Sequence, residues 1–527
     1  MRIPRINIFF IVAVMACVAS CANDAKIYDP ICEEGFYILT PKVAEKPRIN
    51  GPQVFGVRPG NPFLYTVPVT GIKPMKITVE GLPEGLQVNE KGIISGTIKN
   101  KAHQKYQLKF LAENSKGKDS KDFEIIVGKE ICLTPPLGWS SWIATKKTLS
   151  QEKVMDNVKS LLDCGLNNFG YSYVNIDDCW QGAQRGGEYN AIMPDSVKFP
   201  NMKKMVDDIH ALGLKAGIYS TPWITSYAGY IGGSSNNKEG HWDPKMRLAL
   251  KQAKIEGRAS LLGKYNFDEN DAAQWAAWEF DYMKYDWNPN DSTSTVNMAL
   301  ALKNSGRDIV FAISNSCPIS EAIRCKEYVQ VFRTGGDIRA RWNTDGSHLN
   351  LRENWENHNN WLEKGFEGSP GHIPDPDFLM VGLQKYGSKE SLTADQLYHH
   401  MSSFALWGGP LLLSTDLEKL NDFEESLLTN VEILDINQDK LALPAKCVYA
   451  KDGIEVLVKE LADGEKAIGI FNFNTTATLA ILDWDTLGLK GTKTLRDVWR
   501  QQDIGKYNGK ISAKIRPDGV VVLRSKD

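Results

Sequence analysis

Carboxylates at the ends of apolar segments are the residues whose type and spacing point most directly to chemistry. Asp177 and Asp178 close the run Asn175-Ile-Asp-Asp-Cys-Trp180, and Asp286 closes Lys284-Tyr-Asp-Trp287. Asp337 ends Arg333-Thr-Gly-Gly-Asp337, and Asp375 and Asp377 flank a proline in Pro374-Asp-Pro-Asp377. A charged residue that closes an apolar parallel strand is a poor core residue, because an unpaired buried carboxylate is very costly. Singly, each is as readily a loop cap or half of an ion pair; four such ends converging on one face make an acidic pocket. Such a pocket can hold a divalent cation or cleave a glycoside, which takes one carboxylate as nucleophile or base and another as proton donor. Trp142, Trp180, Tyr219, Lys284 and Arg333 accompany the acids. Cations keep neighbouring carboxylates ionised, donate hydrogen bonds to hydroxyls and repel a metal, so the set favours carbohydrate chemistry.

The elements that must position these residues can be read from periodicity. Eight apolar segments, at 138–142, 173–177, 215–219, 282–286, 309–314, 329–334, 373–379 and 410–414, alternate with helical stretches such as 151–164, 201–212 and 272–281. Strands alternating with helices over some 300 residues predict a (β/α)8 TIM barrel over 131–440, whose site lies at the C-terminal ends of the strands. The long connection 221–271 is an elaborated loop on that face. Its Trp223, Tyr227, Tyr230 and Trp242 either line a substrate groove or pack the loop on itself. Residues 40–130 read as a small β domain of period-two segments separated by Gly, Pro and Asn turns, including an Asn89-Glu-Lys-Gly92 hairpin. Its expected role is a spacer or packing module, with sugar binding as the alternative. Short alternating strands return over 441–527 as a C-terminal antiparallel β-sandwich. The fold class is thus multidomain α/β, a barrel flanked by two β domains.

The bulk properties close off other classes. The 527 residues exceed one compact core. With 62 basic and 64 acidic side chains the net charge is -2, and no basic run is interleaved with aromatics, which argues against nucleic-acid binding. Arg2 and Arg5 precede an apolar stretch, Ile8 to Val18, too short for the ~20 residues of a bilayer-spanning helix. It ends in Val18-Ala-Ser-Cys21, which resembles a bacterial lipobox. Residues 1–21 are therefore expected to be a lipoprotein signal with Cys21 lipidated, and 22–39 a polar spacer. The alternative is a plain signal peptide. The expected location is the periplasm, outer membrane or cell surface, with membrane attachment through the lipid alone. Beyond Cys21 seven cysteines remain, odd in number and without metal-ligand spacing, so no disulfide connectivity can be read and no zinc site is expected. Nothing in the sequence defines an oligomer.

Six motifs carry a family resemblance. Pro136-Leu-Gly-Trp-Ser-Ser-Trp142, Tyr173-Val-Asn-Ile-Asp-Asp-Cys-Trp180, Gly217-Ile-Tyr219, Lys284-Tyr-Asp286, Arg333-Thr-Gly-Gly-Asp-Ile338 and Asp375-Pro-Asp377 resemble, in order, those of glycoside hydrolase family 27, the melibiase-type α-galactosidases. The run Gly81 to Thr97 resembles bacterial Ig modules. The resemblance implies a retaining mechanism through a covalent glycosyl-enzyme and no cofactor. Asp286 would be the nucleophile and Asp337 the acid and base. Asp177 and Asp178 would grip the axial 4-hydroxyl and the 6-hydroxyl beside Lys284, with Trp142 stacked under the sugar and Arg333 and Asp377 completing the pocket. Lys284 is expected to keep Asp286 ionised, and the charge of Asp286 to raise the pKa of Asp337. The sequence departs from the family at Ser314 to Ser320, which lacks the usual Glu or Trp, at Phe378 and at Trp287, so the 2-position pocket is expected to be remodelled. Release of terminal α-D-galactose is the leading expectation. The alternatives are α-N-acetylgalactosaminidase, β-L-arabinopyranosidase or isomalto-dextranase activity, or a surface glycan-binding lipoprotein without catalysis.

Overall fold

The computed structural model describes residues 27–30, 35–243, 245, 261–343, 348–383 and 391–526. The leader, Cys21, Cys32 and part of the 221–271 connection lie outside the described residues. Eight short parallel strands form the centre: β1 (Leu137–Ser140), β2 (Tyr173–Asn175), β3 (Lys215–Ser220), β4 (Tyr282–Asp286), β5 (Val310–Ser314), β6 (Val331–Arg333), β7 (Ile373–Asp375) and β8 (Leu411–Leu413). Each pairs with the next in sequence, β8 returns to β1, and a parallel bridge from Leu379 to Leu413 closes the ring after β7. All eight predicted segments are strands of this barrel. Gly217 in β3 is there for space, since a Cβ would lie 2.0 Å from the side-chain oxygen of Asn175 on β2.

A helix follows each strand: α1 (Gln151–Asp163), α2 (Met202–Ala211), α3 (Asp268–Ala277), α4 (Ser292–Asn304), α5 (Ala322–Tyr328), α6 (Leu351–Lys364) and α7 (Ala394–Trp407), with α8 (Asp422–Leu428) and α9 (Val431–Asn437) after β8. Ser150 caps α1 by accepting from Lys153 N, and Val154, Val158 and Leu161 bury one helical stripe. Capping boxes start α6 at Asn350 and α7 at Thr393. α3 begins four residues before the predicted 272, because Asp268, Glu269 and Asp271 occupy a first turn where the helix dipole favours acids. Among the described residues no helix is long and apolar enough to cross a membrane.

The Ig-like domain packs Phe63, Tyr65, Phe110 and Phe123 between two sheets, with Phe110 and Phe123 rings 4.5 Å apart. Its Asn89 side chain accepts from Lys91 N and Ile93 N to form the predicted hairpin turn, and Gly92 takes φ 78°. The domain docks on the N-terminal ends of the strands. Thr66 donates to Gly213 O at 2.6 Å, just before β3. Arg58 N and Asn61 Nδ2 donate to Asp308 at 2.8 and 2.7 Å, just before β5. The C-terminal sandwich has a six-stranded antiparallel sheet and packs on α7, which is buried nearly all round. Trp499 Nε1 donates to Ser402 Oγ at 2.8 Å, and Trp355 of α6 meets Phe471 at 4.6 Å.

The stretch expected as a spacer differs from that expectation. Ile27 and Tyr28 pair in parallel with Ser512 and Ala513 of the C-terminal domain, and the Tyr37 ring stacks on Tyr398 at 5.5 Å. Tyr398 Oη donates to Tyr37 O, and Leu39 N donates to Tyr398 Oη, both at 2.9 Å. The apolar and aromatic residues of this stretch find partners that a polar tether lacks. Only 22–26 remain between Cys21 and the first docked residue, at most about 18 Å of extended chain. The six described cysteines are unbonded; the sulfurs of Cys317 and Cys325 are buried and 3.4 Å apart.

Candidate active site

The strand ends bring the predicted carboxylates other than Asp375 into one cavity of about 240 Å³ at the C-terminal face of the barrel. Trp142, Asp177, Asp178, Tyr219, Lys284, Asp286, Arg333, Asp337 and Asp377 all line it. No residue of the Ig-like domain does so. Lys284 and Asp286, two apart on β4, share the cavity side of the strand as alternation requires.

The inner end is built from β2 and β4. Lys284 Nζ donates to Asp177 Oδ2 at 2.8 Å, and Ser140 Oγ reaches the same oxygen at 3.4 Å. Burial alone would pull the Lys284 ammonium down, but Asp177 and Asp286 hold it well above the ordinary lysine value. Asp178 is buried and accepts from Ser226 Oγ at 2.8 Å and Ala228 N at 2.9 Å, both on the elaborated loop after β3. Burial raises its pKa against those hydrogen bonds.

The two carboxylates with catalytic candidacy sit differently. Asp286 receives one hydrogen bond, from Tyr219 Oη at 3.2 Å, and its Oδ1 is buried without a partner. Asp337 has a side chain 45% exposed at the cavity mouth, and accepts from Arg333 Nη2 at 3.3 Å. Arg333 also donates to Asp377 Oδ2 at 2.8 Å, while Asp377, at φ 96°, accepts from Ile338 N and Phe378 N. Burial pushes Asp377 up to about 6 against the pull of Arg333.

The acidities run in the opposite order to that expected. Burial pushes the Asp286 carboxyl up to about 7, with Lys284 opposing and Asp337 and Asp177 reinforcing. Burial also disfavours the charge on Asp337, but Arg333, Lys284 and Arg339 outweigh it and hold that carboxyl below its ordinary value. Geometry supplies the reason: Lys284 makes its direct contact with Asp177, while Arg333 faces Asp337. Of the two, Asp286 is therefore the weaker acid.

Other expectations divide. Of the four loop aromatics, Tyr227 lines the cavity; Trp223 is buried against it, and Trp242 Nε1 bonds Thr225 at 3.1 Å. Tyr230 Oη sits 3.4 Å from Lys198 Nζ instead. Phe378 lines the cavity, with Lys284 Nζ 5.2 Å from its ring. Trp287 is buried and gives its Nε1 to Asp291 at 3.1 Å, so it is packing rather than a wall of the site. Sequence reasoning missed Asn315, which lines the cavity and donates to Tyr227 Oη at 2.7 Å. Asn315 and Ser316 take φ 77° and 71°, and consecutive left-handed residues at a strand end are a strained feature that alternation patterns do not reveal. Among the described residues no group of three His, Cys, Asp or Glu side chains is placed to hold a metal; the ammonium of Lys284 pairs with Asp177.

A parallel barrel with paired carboxylates in a cavity at its C-terminal face, flanked by cations and aromatics, defines a glycoside hydrolase. The chain belongs to the family described as Alpha galactosidase A, matched over residues 134–243 and 250–439; residues 451–525 match its C-terminal beta sandwich domain and residues 46–128 an Ig-domain family. It is similar to the α-galactosidase of Cyamopsis tetragonoloba, 29% identical over 389 residues, or 72% of this chain and 84% of that one. The α-N-acetylgalactosaminidase of Gallus gallus is 27% identical over 423 residues, 74% of this chain and 93% of that one. A crystal structure of a candidate α-galactosidase/melibiase from Bacteroides fragilis is 30% identical, with a TM-score of 0.80, covering 92% of this chain and 98% of that one.

Proposed function

We propose that the chain is a retaining, exo-acting α-galactosidase that releases terminal α-linked D-galactose from oligo- or polysaccharides. The observation that carries this reading is the graded burial of the acids. Asp177 and Asp178 form a closed inner end suited to gripping hydroxyls, Asp286 lies between, and Asp337 stands at the mouth. Asp286 attacks the anomeric carbon to form a glycosyl-enzyme while Asp337 protonates the departing oxygen. Asp337 then takes a proton from the water that cleaves the intermediate. Exposure supports this division of roles, since the leaving group departs and water arrives at the mouth. Arg333, itself held by Asp377, fixes Asp337, Lys284 pairs with Asp177 on the cavity side of the strand that carries the nucleophile, and Trp142 offers a ring face to the sugar.

The reaction needs Asp286 ionised and Asp337 protonated. Sugar hydroxyls supply Asp286 with the donors it lacks, and the sugar body covers Asp337 from water; both effects favour that arrangement. The test is hydrolysis of aryl α-D-galactoside by the chain from residue 22, beside the N-acetylgalactosaminide, β-L-arabinopyranoside and α-glucoside. Turnover of the galactoside, with retained configuration in the first-formed product, is expected. Turnover of a different glycoside alone would move the specificity, and none at all would overturn the reading.

Export and lipid anchoring at Cys21, in the periplasm or at the outer membrane or cell surface, belong to the same proposal. The charged start, the apolar run and Val18-Ala-Ser-Cys21 support them. Labelled palmitate should enter the full chain and not its Cys21→Ala variant; equal labelling would exclude the anchor.

A further inference from the structure

One acid at the strand ends has no part in the chemistry described so far. Asp375 closes β7 beside Arg333, which closes β6, and the two are partners in the register of those strands. Its main chain is pinned, since Asp375 O accepts from Thr334 N at 3.0 Å and from Thr334 Oγ1 at 3.1 Å. Together with Arg333 and Lys284 it lines a small cavity of about 20 Å³ that reaches down the strands to Tyr282 and Leu412. Asp375 Oδ1 accepts from Asp377 N at 2.8 Å, closing a turn across Pro376. That turn leaves Asp377 at φ 96°, where a residue other than glycine needs support from its surroundings. From this position Asp377 Oδ2 accepts from Arg333 Nη2 at 2.8 Å and from Ile338 N at 2.9 Å. The same Nη2 lies 3.3 Å from Asp337 Oδ1 and 3.3 Å from Gly335 O. Three acceptors thus compete for one nitrogen, and Asp377 holds it closest.

We infer that Asp375 is a positioning residue: by holding Asp377 against Arg333 it keeps that guanidinium from closing onto Asp337. The reason is electrostatic. Arg333 already helps to hold the Asp337 carboxyl below its ordinary value, whereas the reaction needs Asp337 protonated. A guanidinium drawn nearer would favour the ionised form further, because Coulomb attraction grows as the distance shrinks. The charge of Asp375 also attracts Arg333 toward β7 and so acts in the same direction as its hydrogen bond.

The inference rests on the glycosidase reading above, and the experiment separates the two. For the chain from residue 22, kcat/KM is measured across pH on two substrates. One is an aryl α-galactoside whose leaving group needs no proton; the other is an α-galactosyl disaccharide whose leaving sugar must be protonated. Asp375→Ala should lose about a hundredfold on the disaccharide and less than about fivefold on the aryl galactoside. Its alkaline fall in kcat/KM on the disaccharide should move to lower pH by about one unit. Asp375→Asn keeps the accepting oxygen and drops the charge, so it should recover about tenfold of the loss on the disaccharide. The ratio of the two kcat/KM values does not depend on how much of a preparation is folded. If the Ala variant does not fold at all, Asp375→Ser, a weaker acceptor, takes its place, and its disaccharide activity should lie below that of Asp375→Asn. Equal losses on both substrates with the alkaline fall unmoved, or an Asn variant no better than the Ala or Ser variant, overturn this inference alone. A parent chain that hydrolyses neither substrate overturns the glycosidase reading beneath it.

Discussion

Asp281 and Asp286 stand just before and at the end of the same strand, five residues apart, and both carboxylates are largely enclosed. Asp281 lies at the N-terminal end of β4 and accepts from Arg307 at 2.6 Å, from Ala216 N at 2.9 Å and pairs with His210 at 2.8 Å. Burial opposes its charge, but His210, Arg307 and Lys215 hold its pKa well below the ordinary value. Asp286 at the other end has one long hydrogen bond and an oxygen without a partner, and burial pushes it up to about 7. One end of the strand spends its charge on packing the barrel; the other leaves charge unsatisfied where a substrate can complete it. A buried acid with every partner present is structural, and one short of donors in an open cavity is poised for chemistry.

Substituting each end separately sharpens the contrast. Asp286→Asn should lower kcat on aryl galactoside by more than about ten-thousandfold, as expected on removing a nucleophile. Because its folded pKa is raised, ionisation of Asp286 costs the fold stability as pH climbs from about 4 to 7, so the Asn variant should melt no lower than the parent at pH 8. A clear drop in Tm would break the comparison. Asp337→Asn should cost roughly a hundred- to ten-thousandfold on natural glycans, and much less on aryl galactosides whose leaving groups need no proton. Equal losses on both substrate types would remove it from the acid role.

At the other end, Asp281→Asn should destabilise the chain by about 3 kcal/mol or more, since it strands Arg307 and Lys215 in a buried site. Chemical denaturation would measure this, with kcat of the surviving folded enzyme near that of the parent. The depressed pKa gives the opposite sign to Asp286: the contribution of Asp281 is present above the ordinary carboxylate range and lost on acidification. The dyad sets a pH limit as well. If the singly protonated pair is the active form, kcat/KM should fall about tenfold per pH unit above about 7. A profile flat to pH 9 would show that the pair does not lose its proton near pH 7. The smallest effect is expected from Asp308→Ala, which removes the acceptor of Arg58 N and Asn61: about 1–2 kcal/mol of stability and no change in kcat/KM. An altered kcat/KM would mean that the Ig-like domain communicates with the site.

The eight strands and the residues at their ends were legible because periodicity and terminal charge are local properties of the chain. Alternating apolar segments can pair in parallel only with helices between them, and a carboxylate ending such a segment must emerge on the one face where strand ends gather. What tertiary structure alone decided was which charge faces which. Lys284 lies beside Asp286 in sequence, yet its contact is with Asp177 from another strand; Arg333, four residues before Asp337, divides itself between that acid and Asp377. The acidities therefore run opposite to the order that sequence proximity suggested. Tyr227 and Asn315 meet at the cavity from loops 88 residues apart, and Ile27, Tyr28, Tyr37 and Leu39 are held by partners more than 350 residues away. Coulomb energies and desolvation depend on distances through space and on burial, and neither is a property of any one stretch of sequence.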